Sequence, residues 1–140
     1  MAPGRAEVEA QVAAHPFFAG MSAHYIRLLA DCAIATRFGK IVLEAGENAG
    51  CAPVIIDRIG AGDLLGWSWI FPPYIWHFTA RAVELTNSIF FYGTILREYC
   101  DKDSALGYEL FKRMSEVMIR RLQGARSQLL EAMVKTRPKG

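Results

Sequence analysis

The sequence predicts a single α+β domain. Its 140 residues are the length of one domain, and short β-like runs occupy its middle. Its last third keeps a helical period over roughly 30 residues, or about 45 Å. Hydrophobic residues make up 52% of the chain and charged residues 21%, which excludes a disordered polymer. The formal net charge of +2 lacks the strong basic excess of a nucleic-acid binder. Leu64 to Tyr74, the longest apolar stretch, is interrupted by Gly66, Ser68, Pro72 and Pro73 and is too short to cross a bilayer. No apolar run follows Arg5, so no secretion signal is expected. Cys32, Cys51 and Cys100 form no C-x-x-C pair. They read as reduced thiols of a cytoplasmic protein rather than a zinc ribbon or a disulfide framework. The domain is expected over residues 7–133, with a short basic tail over 134–140.

Each element follows in order. Glu7 to Ala14 are good helix formers, stopped by His15-Pro16 because the residue before proline avoids the helical region. Ser22 can cap a second helix whose apolar face holds Tyr25, Ile26, Leu28 and Leu29. Ile34 to Leu43 turns β-like, broken at Gly39-Lys40, and Gly46-Glu47-Asn48 marks a turn. Val54-Ile55-Ile56 reads as a short buried strand, and Gly60-Ala61-Gly62-Asp63 as a loop. Phe78 to Val83 and Ser88 to Tyr92 read as two further strands.

Asp103 is the expected N-cap of a helix over Ser104 to Met133. Two apolar stripes run along it. Phe111, Ser115, Met118, Leu122, Ala125, Leu129 and Ala132 follow the 4-3 spacing of a helix-pair seam, while Leu106, Leu110, Met114 and Val117 lie on another side. One stripe packs on the protein's own β layer. The other needs a second surface, and a copy of itself in a symmetric dimer supplies one. The dimer helix is therefore expected to use Phe111, Met118, Leu122, Ala125 and Leu129. Acids interleave with Lys112, Arg113, Arg120, Arg121 and Arg126, which read as a solvated face rather than a DNA stripe. Glu109/Arg113 and Glu116/Arg120 sit on that flank at i,i+4, acid first.

Several motifs fall in a familiar order: Pro16-Phe17-Phe18, Met21-Ser22, Leu28-Leu29-Ala30, Gly46-Glu47, Ile59 to Gly66, and Thr79-Ala80-Arg81-Ala82 before the long helix. Together they cover most of residues 14–133, and the chain resembles cyclic-nucleotide-binding domains of the catabolite-activator type. The resemblance implies a β-roll (jelly-roll) flanked by N-terminal helices and a long C-terminal dimer helix, with a ligand pocket inside. It also implies a phosphate-binding cassette after Gly60-Ala61-Gly62-Asp63. The helix-turn-helix that follows the dimer helix in the family's transcription factors has no counterpart in Val134 to Gly140, so no direct DNA binding by this chain is expected.

Two departures shape the expected function. The family places two strands and a turn between its Gly-Glu corner and the strand before the cassette, whereas here only Asn48 to Asp57 fill that interval. A hairpin of roughly 15–20 residues near residues 48–54 is therefore absent from an eight-stranded roll. Either the roll is shortened or the native chain is longer; the second is expected, because losing a central hairpin leaves neighbouring strand edges unpaired, and an intact-mass measurement separates the two. In the cassette, Leu65-Gly66 matches, but Trp67 stands at the ribose-binding Glu position and Trp76, nine residues on, at the phosphate-binding Arg position. His77 and Phe78 follow. A buried phosphodiester without a bidentate cation is costly, so altered or lost cyclic-nucleotide affinity is expected. Backbone N–H groups of a short cassette helix, or protonated His77, would offset part of that cost.

Trp67, Trp69, Phe71, Tyr74, Trp76 and Phe78 crowd the same segment. They can plug the empty barrel, or hold a flat aromatic ligand by stacking, with Ser68 as a polar handle. The candidate ligand residues are thus Gly66, Trp67, Ser68, Trp76 and His77, and the candidate ligand is a cyclic nucleotide or a flat aromatic molecule. A non-catalytic, ligand-sensing regulatory domain is the leading expectation. A ligand-free dimeric scaffold for protein contacts is the alternative. A cupin-like metalloenzyme is remote, because His15, His24 and His77 form no metal-ligand cluster in sequence and no catalytic motif is present.

Overall fold

The computed structural model describes residues 3–45, 54–60, 62–76 and 78–138. The first helix, α1, spans Arg5–Ala14 and begins two residues before the expected Glu7. Val8 and Val12, one helical turn apart, are its buried face. His15, extended at ψ 133°, ends it as the following proline requires. A 3-10 turn at Pro16–Phe18 follows, and His15 Nδ1 accepts a hydrogen bond from Phe17 N at 3.2 Å. That acceptor role needs neutral imidazole, and burial lowers the pKa of His15 accordingly.

Helix α2, Ala23–Asp31, is capped as expected, with Ser22 Oγ accepting from Tyr25 N at 3.3 Å. Ile26, Leu29 and Ala30 are its buried side. Ile26 and Leu29 join Val8, Val12 and Phe18 in the hydrophobic core.

The described strands make one antiparallel sheet in the order β2-β1-β3, with β1 at Ala33–Ala45, β2 at Val54–Ile59 and β3 at Thr79–Phe91. The structure differs from the expected strands at three points. The expected break at Gly39-Lys40 is instead a register shift within one continuous β1. The two strands expected over residues 78–92 are one, because β3 runs through Glu84–Asn87 and takes up the shift as a bulge. Lys40 pairs with Glu84 and Ile41 with Ala82, which leaves Val83 as the extra residue. Three strands, not an eight-stranded roll, stand among the described residues. Ala45 pairs directly with Val54, so β1 and β2 form a hairpin. Residues 46–53, where the interval near 48–54 falls, lie outside the described residues.

Helix α3, Gly93–Lys102, was not expected from the sequence. It has no side-chain cap at Tyr92, so no start signal announces it, although Leu96, Tyr99 and Cys100 share one side and pack into the core. Helix α4, Ser104–Lys135, starts at the expected Asp103, whose Oδ1 accepts from Ala105 N at 3.1 Å and Leu106 N at 3.2 Å. Leu106, Leu110, Met114 and Val117 are buried. Each such side chain contributes about 1.5–3 kcal/mol on leaving water. This is the stripe consumed inside the chain.

The other stripe is left outside. Leu122 is 69% and Leu129 62% exposed, Phe111 and Ala125 are also exposed, and Met118 is half-buried. Arg113 departs from the expected solvated flank. Its Nη1 donates to the carbonyls of Phe17 at 2.8 Å and Ala19 at 2.9 Å, while Nε lies 3.5 Å from Glu109 Oε2. The guanidinium thereby ties α4 to the 3-10 turn.

Candidate ligand-binding segment

The segment after β2 is built from turns. Gly60 N donates to Asp63 Oδ2 at 2.9 Å and Asp63 N donates to the Gly60 carbonyl at 3.2 Å, closing the first turn. Gly62 sits at φ +82°, open to glycine and strained for other residues. Two further turns follow, Ile70 N to the Trp67 carbonyl at 3.2 Å and Tyr74 N to the Phe71 carbonyl at 2.9 Å. The Pro72-Pro73 bond is cis. Residues 62–76 contain no helix, so the cassette helix considered from the sequence is not there to offer its N–H groups.

Of the candidate residues, Gly66 and Trp76 are brought together. Gly66 has φ +86°, and a β-carbon there would lie 3.0 Å from the Trp76 ring. Trp76 is itself 54% exposed and therefore does not plug an interior. Trp67 and Ser68 are half-buried. His77 lies outside the described residues. Trp69, not among the candidates, packs against the hydrophobic core and abuts Gly93 at the start of α3.

The sequence reading missed the residues that fasten this segment. Arg97 on α3 donates from Nη1 to the Trp69 carbonyl at 2.7 Å and lies over the Tyr74 ring, 4.0 Å from its centroid. Arg121 on α4, read from sequence as part of a solvated face, has a side chain only 16% exposed. Its Nη2 donates to the Leu64 carbonyl, its Nε lies 3.5 Å from Asp57 Oδ2 on β2, and the guanidinium is 5.8 Å from the Trp67 ring centroid. Burial lowers the Arg121 pKa, against the opposing pull of Asp57 and Asp63. Arginine remains charged through such a shift. The i,i+4 pair Glu116/Arg120 marks helix geometry, but no sequence signal separates Arg121 from its solvated neighbours.

Among the described residues no group of three His, Cys, Asp or Glu side chains could hold a metal ion. No helix of the described residues is long and apolar enough to cross a membrane.

No family model and no curated protein matches the chain. Solved structures do. A protein of Geobacter metallireducens GS-15 described as cyclic nucleotide-binding superposes with TM-score 0.70 at 19% identity, over 81% of this chain and 97% of that one. A cyclic nucleotide-binding domain from Methylobacillus flagellatus superposes with TM-score 0.70 at 14% identity, over 96% of this chain and 85% of that one. The regulatory domain of Toxoplasma gondii PKA, solved with cAMP, gives TM-score 0.55 at 16% identity over 80% of this chain, which spans half of that one. The fold is that of the cyclic nucleotide-binding domains, a mixed architecture of helices on a small antiparallel sheet.

Proposed function

We propose that the chain is a non-catalytic, ligand-sensing regulatory domain with altered or lost cyclic-nucleotide affinity, a cytoplasmic protein that dimerises through α4. The observation that carries this reading is the fastening of residues 62–76 to both C-terminal helices. Arg97 reaches the segment from α3 and Arg121 from α4, so a ligand seated against the segment acts on the helix that bears the exposed stripe. Sensing then follows from differential affinity for two dispositions of that helix. The tryptophans at 67 and 76 are the reason to expect a changed ligand preference, since neither can neutralise a phosphate. The proposed site keeps Gly66, Trp67, Ser68, Trp76 and His77 as the candidates offered by the sequence, and a cyclic nucleotide or a flat aromatic molecule is the ligand class.

A thermal-shift series with cyclic AMP, cyclic GMP and flat aromatic metabolites tests the reading, because a ligand selective for the folded state raises Tm. At least one compound is expected to do so at millimolar concentration. A flat response throughout would favour the second reading, a ligand-free dimeric scaffold for protein contacts. The packing of Trp76 onto Gly66 speaks for that alternative, since it closes the segment on itself.

A further inference from the structure

We infer that Arg121 is the anion-contacting residue of the segment at 62–76, so that the ligand seated there carries an oxyanion. The inference deepens the ligand-sensing reading and rests on it. Residues 62–76 contain no Lys, Arg or His, so apart from His77, which lies outside the described residues, a cation facing a ligand there comes from another element. Arg97 and Arg121 are the two arginines described in contact with the segment. Arg97 is committed, with its Nη1 on the Trp69 carbonyl and its plane on the Tyr74 ring.

Arg121 is only partly committed. Nε faces Asp57 and Nη2 the Leu64 carbonyl, while Nη1 is buried with no hydrogen-bond partner among the described residues. A buried charged N–H without an acceptor is disfavoured, and in native proteins such a group ordinarily has a water, an ion or a ligand against it. A guanidinium offers five donors in a fixed fork, so one edge can stay on Asp57 and Leu64 while the other takes an oxyanion. Trp67 lies beside it as an apolar wall.

Asp57 and Asp63 are the nearby carboxylates and Arg120 the other nearby cation. The carboxylates compete with a bound anion, which sets a weak, readily reversed affinity. The contact also has a mechanical side. Because Arg121 belongs to α4 and not to the segment, an anion engaging it draws on the same group that fastens the helix to β2.

The test is calorimetry on the full chain with inorganic phosphate, cyclic AMP and uncharged adenosine, comparing wild type with Arg121→Gln, Arg121→Lys, Asp57→Asn and Arg120→Gln. Phosphate and cyclic AMP are expected to bind in the millimolar range, and adenosine at least tenfold more weakly than cyclic AMP. Arg121→Gln should weaken anion binding tenfold or more, and Arg121→Lys, which keeps the charge, should recover part of it. Asp57→Asn should tighten binding severalfold, and Arg120→Gln should stay within about twofold of wild type. Cyclic AMP binding unchanged in both Arg121 variants would overturn the inference and leave the sensing reading intact, as would binding of adenosine as tight as that of cyclic AMP. No phosphate or cyclic AMP binding to either wild type or Asp57→Asn would also overturn it. The sensing reading would then stand or fall on the aromatic metabolites alone.

Discussion

The indole of Trp76 lies over Gly66 so closely that a β-carbon on residue 66 would come within 3.0 Å of its ring. Two constraints coincide at this glycine, since its φ of +86° is itself unfavourable for any residue with a side chain. Gly66→Ala is expected to cost about 1–2 kcal/mol of stability in urea unfolding. In a Trp76→Ala background the cost should shrink but persist, because the ring is gone and the backbone conformation is not. A cost that vanishes in the double variant would assign the whole effect to the ring.

Gly93 opens α3 against Trp69, and a β-carbon there would fall 2.6 Å from Trp69 Cβ. Helix propensity favours alanine over glycine by about 1 kcal/mol, so local preference and packing oppose each other. Packing should win, because the obstructing atom is fixed to the main chain. Gly93→Ala is expected to lower stability by about 1–3 kcal/mol. A stabilised variant would show that the segment carrying Trp69 can move away from α3.

Asp103 caps α4 through two backbone donors and has the Tyr25 hydroxyl 3.5 Å from the same oxygen. Asp103→Ala is expected to cost about 1–2 kcal/mol by thermal or urea unfolding, and Asp103→Asn much less, since asparagine also caps. Equal losses in the two variants would point to the charge instead of the cap.

Cys32 is buried and donates from Sγ to the Leu29 carbonyl at 3.2 Å, and burial pushes its thiol up to about 11 from an ordinary value near 9. The folded state therefore holds this proton more tightly than the unfolded chain. Its contribution to stability is complete below about pH 9 and is lost as the pH rises through about 11. At pH 8 a thiol reagent should modify half-buried Cys100 well before Cys32, whose reaction should follow the rate of opening. Peptide mapping of the labelled cysteines checks the order.

The exposed stripe of α4 gives the dimer proposal a direct test. Leu122→Glu with Leu129→Glu places charge where the seam is proposed, at positions exposed in the isolated chain. Light scattering after gel filtration should show a dimer for wild type and a monomer for the double variant, with unchanged helical content. A wild-type monomer at high micromolar concentration would remove the seam.

The sequence was most legible where a local rule acts alone. Ser22 and Asp103 cap as their side chains dictate, and His15-Pro16 ends α1 because proline restricts the residue before it. The division of α4 into a buried and an exposed stripe also follows from helical period. The misreadings arose where a tertiary partner overrides the local pattern. The extra residue at Val83 interrupts the two-residue alternation of β3, and one strand reads as two. Helix α3 has no side-chain cap to mark its start. In the candidate segment, the aromatic run was plain from the sequence, but Arg97 and Arg121 reach it from 21 or more residues beyond Trp76, and charge spacing on a helix does not reveal which arginine turns inward.

The paired register shifts beside Lys40/Ile41 and Leu43/Glu44 carry a consequence for the handedness of side-chain display. Counting back by twos from Phe91 and Ile89, which pack toward the helices, an uninterrupted β3 would present Arg81 on their side of the sheet. The extra residue at Val83 transposes that parity, so Ala80 and Ala82 inherit the helix-ward side and Arg81 is delivered to the face of Phe90. The bulge thus decides on which surface a guanidinium is displayed: by absorbing Val83 it leaves Arg81 on the face that a strand lacking Val83 altogether would give it.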